Sequence, residues 1–264
     1  MRVKFLTLNI FNGEFLDKCI DFLKKENPDI FVLQEVYDSK DKSLEKKNRS
    51  LNILKKKFQE YYSFFTPEFY KKINGTKVDS GNVIFSRFPI LRRESVYYSK
   101  SYGERKISSP EEFVNTARNF QAAEVKINNH SLNIVNTHGI WGFDGKDNKE
   151  RLRMSDIICS KAKELTNVIL AGDFNIAPNT VTIKNIEKIL NNVFKDKLKS
   201  TFNMKIKTPF VNKSSFLGDN DIKGYSQAVV DMVFVSNDIK VLKHTMPKVD
   251  VSDHLPLVCE FEIG

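Results

Sequence analysis

A chain of 264 residues, 41% apolar and 28% charged, has the composition of one large globular domain, with no linker, repeat or low-complexity tract to divide it. Its formal net charge of +9 favours polyanionic partners such as nucleic acid, anionic headgroups or phosphate esters, although the lysines are scattered and no basic block exceeds Lys55-Lys56-Lys57. Three widely separated cysteines (Cys19, Cys159 and Cys259) among apolar neighbours exclude a disulfide framework or zinc signature and read as buried thiols, and no apolar run approaches the roughly 20 residues of a membrane span.

Residues 1–11 are basic and then apolar, but Asn9 and Asn12 interrupt the apolar part and no small-residue cleavage site follows. A cytoplasmic protein is therefore expected. Residues 3–10 read as a strand with Asn9 near its end. Residues 14–27 read as a helix, with Phe15, Leu16, Cys19, Ile20 and Leu23 on one stripe, stopped by Asn27-Pro28. Residues 29–33 form a second apolar strand running into Gln34-Glu35-Val36, so a buried strand delivers a carboxylate at its C-terminal end. Residues 40–60 are a lysine-rich helical stretch with Leu44, Leu51 and Leu54 inward. Strands follow at 61–65 and 82–85, and Arg87-Phe88-Pro89 turns the chain.

Residues 97–116 are polar without a clean period and read as a long loop. Residues 120–127 alternate as a strand that opens after Arg118. Asn128-Asn129 turns it, and 131–137 returns as a hairpin ending in His138. A glycine-rich loop at 139–145 carries Trp141 and Phe143. These rings can stack on a base, dip into a bilayer interface or fold back over the core, and the sequence leaves all three open. Residues 147–165 read as a helix with Leu152, Ile158, Ala162 and Leu165 inward.

The stretch around which the chain is organised is 167–175, N-V-I-L-A-G-D-F-N. Val168 to Leu170 suits a strand buried on both faces. If the strand continues, alternation puts Asp173 and Asn175 on one face, and Gly172 admits close approach of another group. Ligand sites in α/β sheets lie beyond such strand ends, although an Asx turn explains the same pair equally well. A shorter helix is expected at 180–193, mostly irregular chain at 202–230, and a strand at 229–236 with Asp231 embedded among apolar residues. The last two strands, 239–246 and 257–263, are separated by Ser252-Asp253-His254-Leu255-Pro256. Polar residues thus stand at strand ends five times: Asn9, Glu35, His138, Asp173 with Asn175, and Asp253-His254. Asp231 makes a sixth, and a buried carboxylate needs a partner such as histidine. Together they read as an active site.

The set resembles the endonuclease/exonuclease/phosphatase superfamily, the metal-dependent phosphodiesterases similar to pancreatic-type deoxyribonuclease. The matching blocks are T-L-N (7–9), L-Q-E (33–35), N-T-H (136–138), G-D-F-N (172–175), V-D-M-V-F-V (230–235) and S-D-H-L-P (252–256), in the family's order along nearly the whole chain. The resemblance implies an α/β fold of two packed mixed β-sheets flanked by helices, a four-layer sandwich, with a cleft where strand ends converge. It implies Mg²⁺ or Mn²⁺ held by Glu35 with Asn9 beside it, and Asp253 near that metal or a second one. Asp173 would orient or deprotonate water, and Asn175 would donate to developing charge. His254 would contact phosphate, oriented by Asp231, and His138 would be a second phosphate contact or the acid for the leaving group. Arg118 is a candidate phosphate contact, or a surface arginine at a strand start.

Two departures narrow the resemblance. Ile10-Phe11 follow Asn9 without the nearby aspartate of the abasic-site nucleases, and N-T-H replaces their tyrosine-bearing segment. The chain is more similar to the histidine-bearing branch, which includes deoxyribonucleases, deadenylases, sphingomyelinases, inositol-phosphate phosphatases and tyrosyl-DNA phosphodiesterases. The expected function is a monomeric, metal-dependent phosphodiesterase acting on nucleic acid. A sphingomyelinase-like or inositol-phosphate phosphatase-like hydrolase acting on a lipid headgroup or small phosphoester is the alternative, as is a non-catalytic binding protein.

Overall fold

The computed structural model describes residues 1–106, 111–214 and 217–264. The elements run β1 (Arg2–Asn9), α1 (Leu16–Glu26), β2 (Ile30–Asp38), α2 (Ser50–Lys57), β3 (Tyr62–Ile73), β4 (Thr76–Ser86), β5 (Ile90–Tyr97), α3 (Glu111–Val114), β6 (Asn119–Ile127) and β7 (His130–His138). They continue with α4 (Lys149–Lys163), β8 (Val168–Asp173), α5 (Val181–Glu187), β9 (Asn191–Asn192), α6 (Met204–Lys213), α7 (Asp219–Tyr225), β10 (Asp231–Val235), β11 (Ile239–Thr245) and β12 (Leu257–Ile263). One six-stranded sheet has the order β11-β12-β1-β2-β4-β3 and the other β5-β6-β7-β8-β10-β9. Both are mixed: β1 runs parallel to β2 and β7 parallel to β8, while their other neighbours are antiparallel.

Two-residue alternation sorts each strand's side chains between two layers. In β1, Val3 and Phe5 join the core between the sheets, whereas Leu6 and Leu8 pack outward against α1 and α2. In β8, Ile169 and Ala171 face the other sheet, and Val168 and Leu170 pack against α4 and α5. The result is the expected four-layer α/β sandwich, with helices on both outer faces.

The face between the sheets changes character along its length. Val3 and Phe5 are followed by Thr7 and Asn9; Ile30 and Val32 by Gln34; Leu132 and Ile134 by Asn136 and His138; Ile169 and Ala171 by Asp173. On the antiparallel neighbours the order is reversed, so Asp231 precedes Val233, and Asn119 and Gln121 precede Ala123. Strand register lines these ends up: Asn9 stands opposite Gln34, and Asp173 opposite both His138 and Asp231. The buried amides bond to one another, although Gln34 Oε1 and Asn82 Oδ1 have no partner among the described residues. Gln34 donates to Asn136 (2.7 Å), Asn136 to Gln121 (3.1 Å) and Asn82 to Asn119 (3.0 Å).

Several elements differ from expectation. Residues 40–60 do not form one helix. Asp41 closes an Asx turn on Ser43 and accepts from Thr76 (2.8 Å), so helix begins only at a 3₁₀ turn, Lys46–Arg49, before α2. The strands expected at 61–65 and 82–85 are parts of the longer hairpin β3–β4, and β5 was not anticipated. The segment 202–230 is not mostly irregular: it carries α6 and α7. Within the loop expected at 97–116, residues 107–110 lie outside the described residues and 111–114 form α3. Cys19 and Cys259 are buried, Cys159 is half-buried, and none is bridged. No helix among the described residues is long and apolar enough to cross a membrane.

Candidate active site

β8 ends against β7 with no room for a side chain. A Cβ at Gly172 would lie 2.0 Å from Thr137 O, and its φ of +141° also excludes other residues. This close approach sets the buried Asp173 beside His138. Asn175 then turns into the left-handed region (φ 54°). Its backbone N–H donates to Asp173 Oδ1 (2.9 Å), and its side-chain amide donates to Gly139 O (3.1 Å). An Asx turn is therefore present in place of a continuing strand, and Asp173 and Asn175 both line the cleft.

Two histidines flank Asp173, each backed by a buried carboxylate. His254 Nδ1 pairs with Asp231 Oδ2 (2.8 Å), leaving Nε2 4.0 Å from Asp173 Oδ2. His138 Nδ1 pairs with Glu68 Oε2 (3.2 Å), leaving Nε2 3.7 Å from the same oxygen. Asn9 donates to Asp173 Oδ2 as well (3.1 Å). Burial opposes charge on Asp173, but the two histidines outweigh it and hold its pKa below the usual carboxylate value. Burial also opposes charge on His254, yet the Asp231 and Asp253 carboxylates push its pKa up to about 10. Burial also raises the pKa of Asp231, against the opposing pull of His254.

Glu68, which the sequence did not single out, backs His138 in the cleft. It is fully buried, where β3 changes register against β4 between Pro67 and Phe69. A Cβ at the facing Gly81 would meet Thr66 O at 2.1 Å. Its ion pair with Arg118 Nη1 (2.8 Å) and hydrogen bond from Asn82 (3.3 Å) complete its shell. Burial opposes its charge, but His138 and then Arg118 outweigh it and lower its pKa. The signal in sequence was a glutamate directly after Thr66-Pro67, just past the expected strand end. Arg118 is accordingly not a surface arginine. It is 7% exposed, lines the cleft, and its buried Nε has no hydrogen-bond partner among the described residues.

The cleft encloses about 220 Å³, and Glu35, Arg118, His138, Asp173, Asn175, Asp253 and His254 all line it. Asn9 and Asp231 stand one hydrogen bond behind, on Asp173 and His254. Trp141 and Phe143 form part of its rim, in edge-to-face contact at 4.7 Å, and Phe143 is exposed. The loop that carries them is held by the fully buried Arg151, which donates to Ile140 O (3.0 Å), Lys146 O (2.5 Å) and Asn175 O (2.6 Å). Asp253 pairs with Lys207 of α6 (2.8 Å), a partner absent from the sequence-based picture.

Glu35 differs from the other carboxylates. It sits at φ 59° where β2 changes register against β4, a bulge that turns it into the cleft. No hydrogen bond or ion pair among the described residues ends on its carboxylate. A half-buried, unpartnered carboxylate lining the cleft fits a hard divalent cation, whereas the Asn9 side-chain oxygen already accepts from Phe11 N–H (3.0 Å). The ligand atoms of Asp173, Asp231 and His254 also lie within 4.8 Å of one another, with Asp231 Oδ2 already bonded to His254 Nδ1.

A fold of two mixed sheets with this acidic and histidine-rich cleft defines a class of phosphoester hydrolases. The chain belongs to the endonuclease/exonuclease/phosphatase family, whose model matches residues 6–254, and it is a hydrolase of phosphoester bonds of that family. Divalent-metal dependence is typical of the family. No curated protein matches the sequence. Among solved structures, an endonuclease/exonuclease/phosphatase from Beutenbergia cavernae is 18% identical with a TM-score of 0.72, covering 100% of this chain and 72% of that one. TDP2 from D. rerio, complexed with single-strand DNA product, is 16% identical with a TM-score of 0.68, covering 99% of each chain. The mannosyl-6-phosphatase Bt3783 of Bacteroides thetaiotaomicron is 16% identical with a TM-score of 0.69, covering 99% of this chain and 100% of that one. At these identities the likeness shows the fold alone.

Proposed function

We propose that the protein is a divalent-metal-dependent phosphodiesterase that cleaves nucleic acid. The observation that carries the chemistry is the convergence of two carboxylate-backed histidines on the buried Asp173, in a cleft that also holds the unpartnered Glu35. A Mg²⁺ or Mn²⁺ ion held by Glu35, with Asn9 beside it, supplies Lewis acidity toward a phosphoryl oxygen when bound.

The chain's own residues perform the remaining work. Asp173, kept ionised by its neighbours, accepts a proton from the attacking water as the water oxygen bonds to phosphorus. Asp231 fixes the His254 ring so that Nε2–H faces the cleft and donates to a non-bridging phosphate oxygen. Glu68 fixes His138 likewise, which places its Nε2 to donate a proton to the departing ester oxygen as the P–O bond breaks. The Asn175 side chain keeps a second amide hydrogen for developing charge, and the free Nε–H of Arg118 suits a phosphate oxygen.

Nucleic acid is favoured by the +9 charge, by two arginines, Arg105 and Arg118, in the cleft, and by the aromatic rim on which bases can stack. The TDP2 neighbour complexed with DNA product supports the same reading. The test is hydrolysis of an activated phosphodiester with and without chelator, followed by single- and double-stranded DNA, RNA, sphingomyelin, phosphoinositides and 5′-phosphotyrosyl DNA under Mg²⁺ and Mn²⁺. Metal-dependent cleavage of a nucleic acid is expected. Turnover confined to lipid or sugar phosphates would replace the substrate assignment, and full activity in excess chelator would remove the metal.

A further inference from the structure

The segment between β9 and β10 brings a lysine to the cleft on a backbone framework. Asn203 N donates to Asp253 O (2.8 Å), Leu255 N donates to Thr201 O (2.7 Å), and Phe202 faces His254 in a single antiparallel bridge. Lys207 N then donates to Asn203 O (2.8 Å) in the first turn of α6. The position of Lys207 relative to Asp253 is therefore set by main-chain bonds. Its Nζ lies 2.8 Å from Asp253 Oδ2, with side chains 10% and 2% exposed. The rings of Phe202, Phe210 and Tyr225 surround the same ammonium, with centroids at 4.8, 5.4 and 4.6 Å. One carboxylate and three aromatic faces are what a desolvated ammonium requires.

Two carboxylates of the cleft thus stand in opposite states. Glu35 has no partner, whereas Asp253 is already paired with a caged cation. An ammonium carries three donors and no acceptor, so it cannot ligate a metal. A divalent ion bound to Asp253 at about 2.0–2.1 Å would meet a like charge held by four groups.

We infer that the Lys207 ammonium takes the place of a second divalent cation on the Asp253 side of the cleft, so that this enzyme binds one metal ion, at Glu35. The inference rests on the metal reading given above. It concerns binding, so Mn²⁺ titration of the full chain tests it, by calorimetry and by electron paramagnetic resonance of the free ion. The wild type should bind one Mn²⁺, lost in Glu35→Gln. Lys207→Met should bind two, and Lys207→Met/Asp253→Asn one again. Lys207→Arg, which keeps the charge, should stay at one. Asp253→Asn in an otherwise unchanged chain should also stay at one, a measurement that needs no stable Lys207 variant. Two ions in the wild type with one lost in Asp253→Asn would overturn the inference alone, as would a folded Lys207→Met that still binds one. No Mn²⁺ binding by the wild type would overturn the metal assignment itself.

Discussion

Glu35, at a bulge within β2, and Asp173, at the end of β8, are both carboxylates on central strands, yet their surroundings assign them different work. Glu35→Gln keeps the shape and removes the charge offered to a cation, so metal affinity and turnover should fall together. Asp173→Asn should keep the cation while turnover drops by about 10²–10⁴-fold, the usual loss on removing a general base. Metal titration beside single-turnover kinetics separates the two, and near-normal turnover in Asp173→Asn would refute its role. Asp231 and His254 share one hydrogen bond, so their substitutions should be strongly non-additive. A double variant that lost the full product of the two single effects would show that they do not act as a unit. The same pair gives stability a pH dependence. Its histidine rises from 6.5 to about 10 on folding, so its stabilisation is full below about pH 6.5 and is lost as pH climbs toward 10. In chelator, the difference in melting temperature between wild type and Asp231→Asn should be largest near pH 6 and shrink toward pH 10. A constant difference would count against the coupling.

Strands and loops position these groups through a few backbone devices. Bulges on β2 and β3 re-aim Glu35 and Glu68, and close glycine approaches at Gly172 and Gly81 let the strands that carry the site draw together. Gly139 serves the loop in the same way, since a Cβ there would lie 2.1 Å from Phe174 O. The buried guanidinium of Arg151 joins the aromatic loop to Asn175 through three carbonyls. Arg151→Met keeps much of the volume but strands those acceptors, each worth about 1–3 kcal/mol when buried without a donor. Destabilisation on the order of 3 kcal/mol is expected in denaturant titration, with faster proteolysis within 139–146. A variant as stable as wild type with an unchanged cleavage pattern would show that the loop is held by other contacts.

The molecule as a whole is a sandwich whose inter-sheet layer is apolar at one end and polar at the other, with the cleft opening at the polar end. Hydrophobic burial supplies stability along most of the layer, and the polar end is ordered by amide networks and ion pairs. The positive charge acts over longer range. If it serves nucleic acid, binding by a catalytically dead variant should weaken steeply as salt rises, because phosphate contacts release counterions. Titrations of labelled oligonucleotide across ionic strengths measure the slope. A flat dependence would favour a small or lipid phosphoester instead.

Periodicity alone determined the central strands, α1 and α4, and the polar residues that end those strands, because buried strands and amphipathic helices write their burial directly into the spacing of apolar residues. The ordered blocks around Asn9, Glu35, His138, Asp173, Asp231 and His254 were legible as short motifs that resemble the family's; Asn9, His138 and Asp173 end strands and Asp231 begins one, whereas Glu35 sits at a bulge inside β2 and His254 in the loop before β12. Glu68, Arg118 and Lys207 acquire meaning only from partners far along the chain, on His138, Glu68 and Asp253 respectively. β5 is largely exposed and alternates weakly, and α6 and α7 present short, mixed faces, so no periodic signal announced them. Strand order, bulge position and the pairing of each carboxylate with its own histidine or cation were decided by packing two sheets face to face. That geometry depends on contacts between residues distant in sequence, and local spacing carries no record of it.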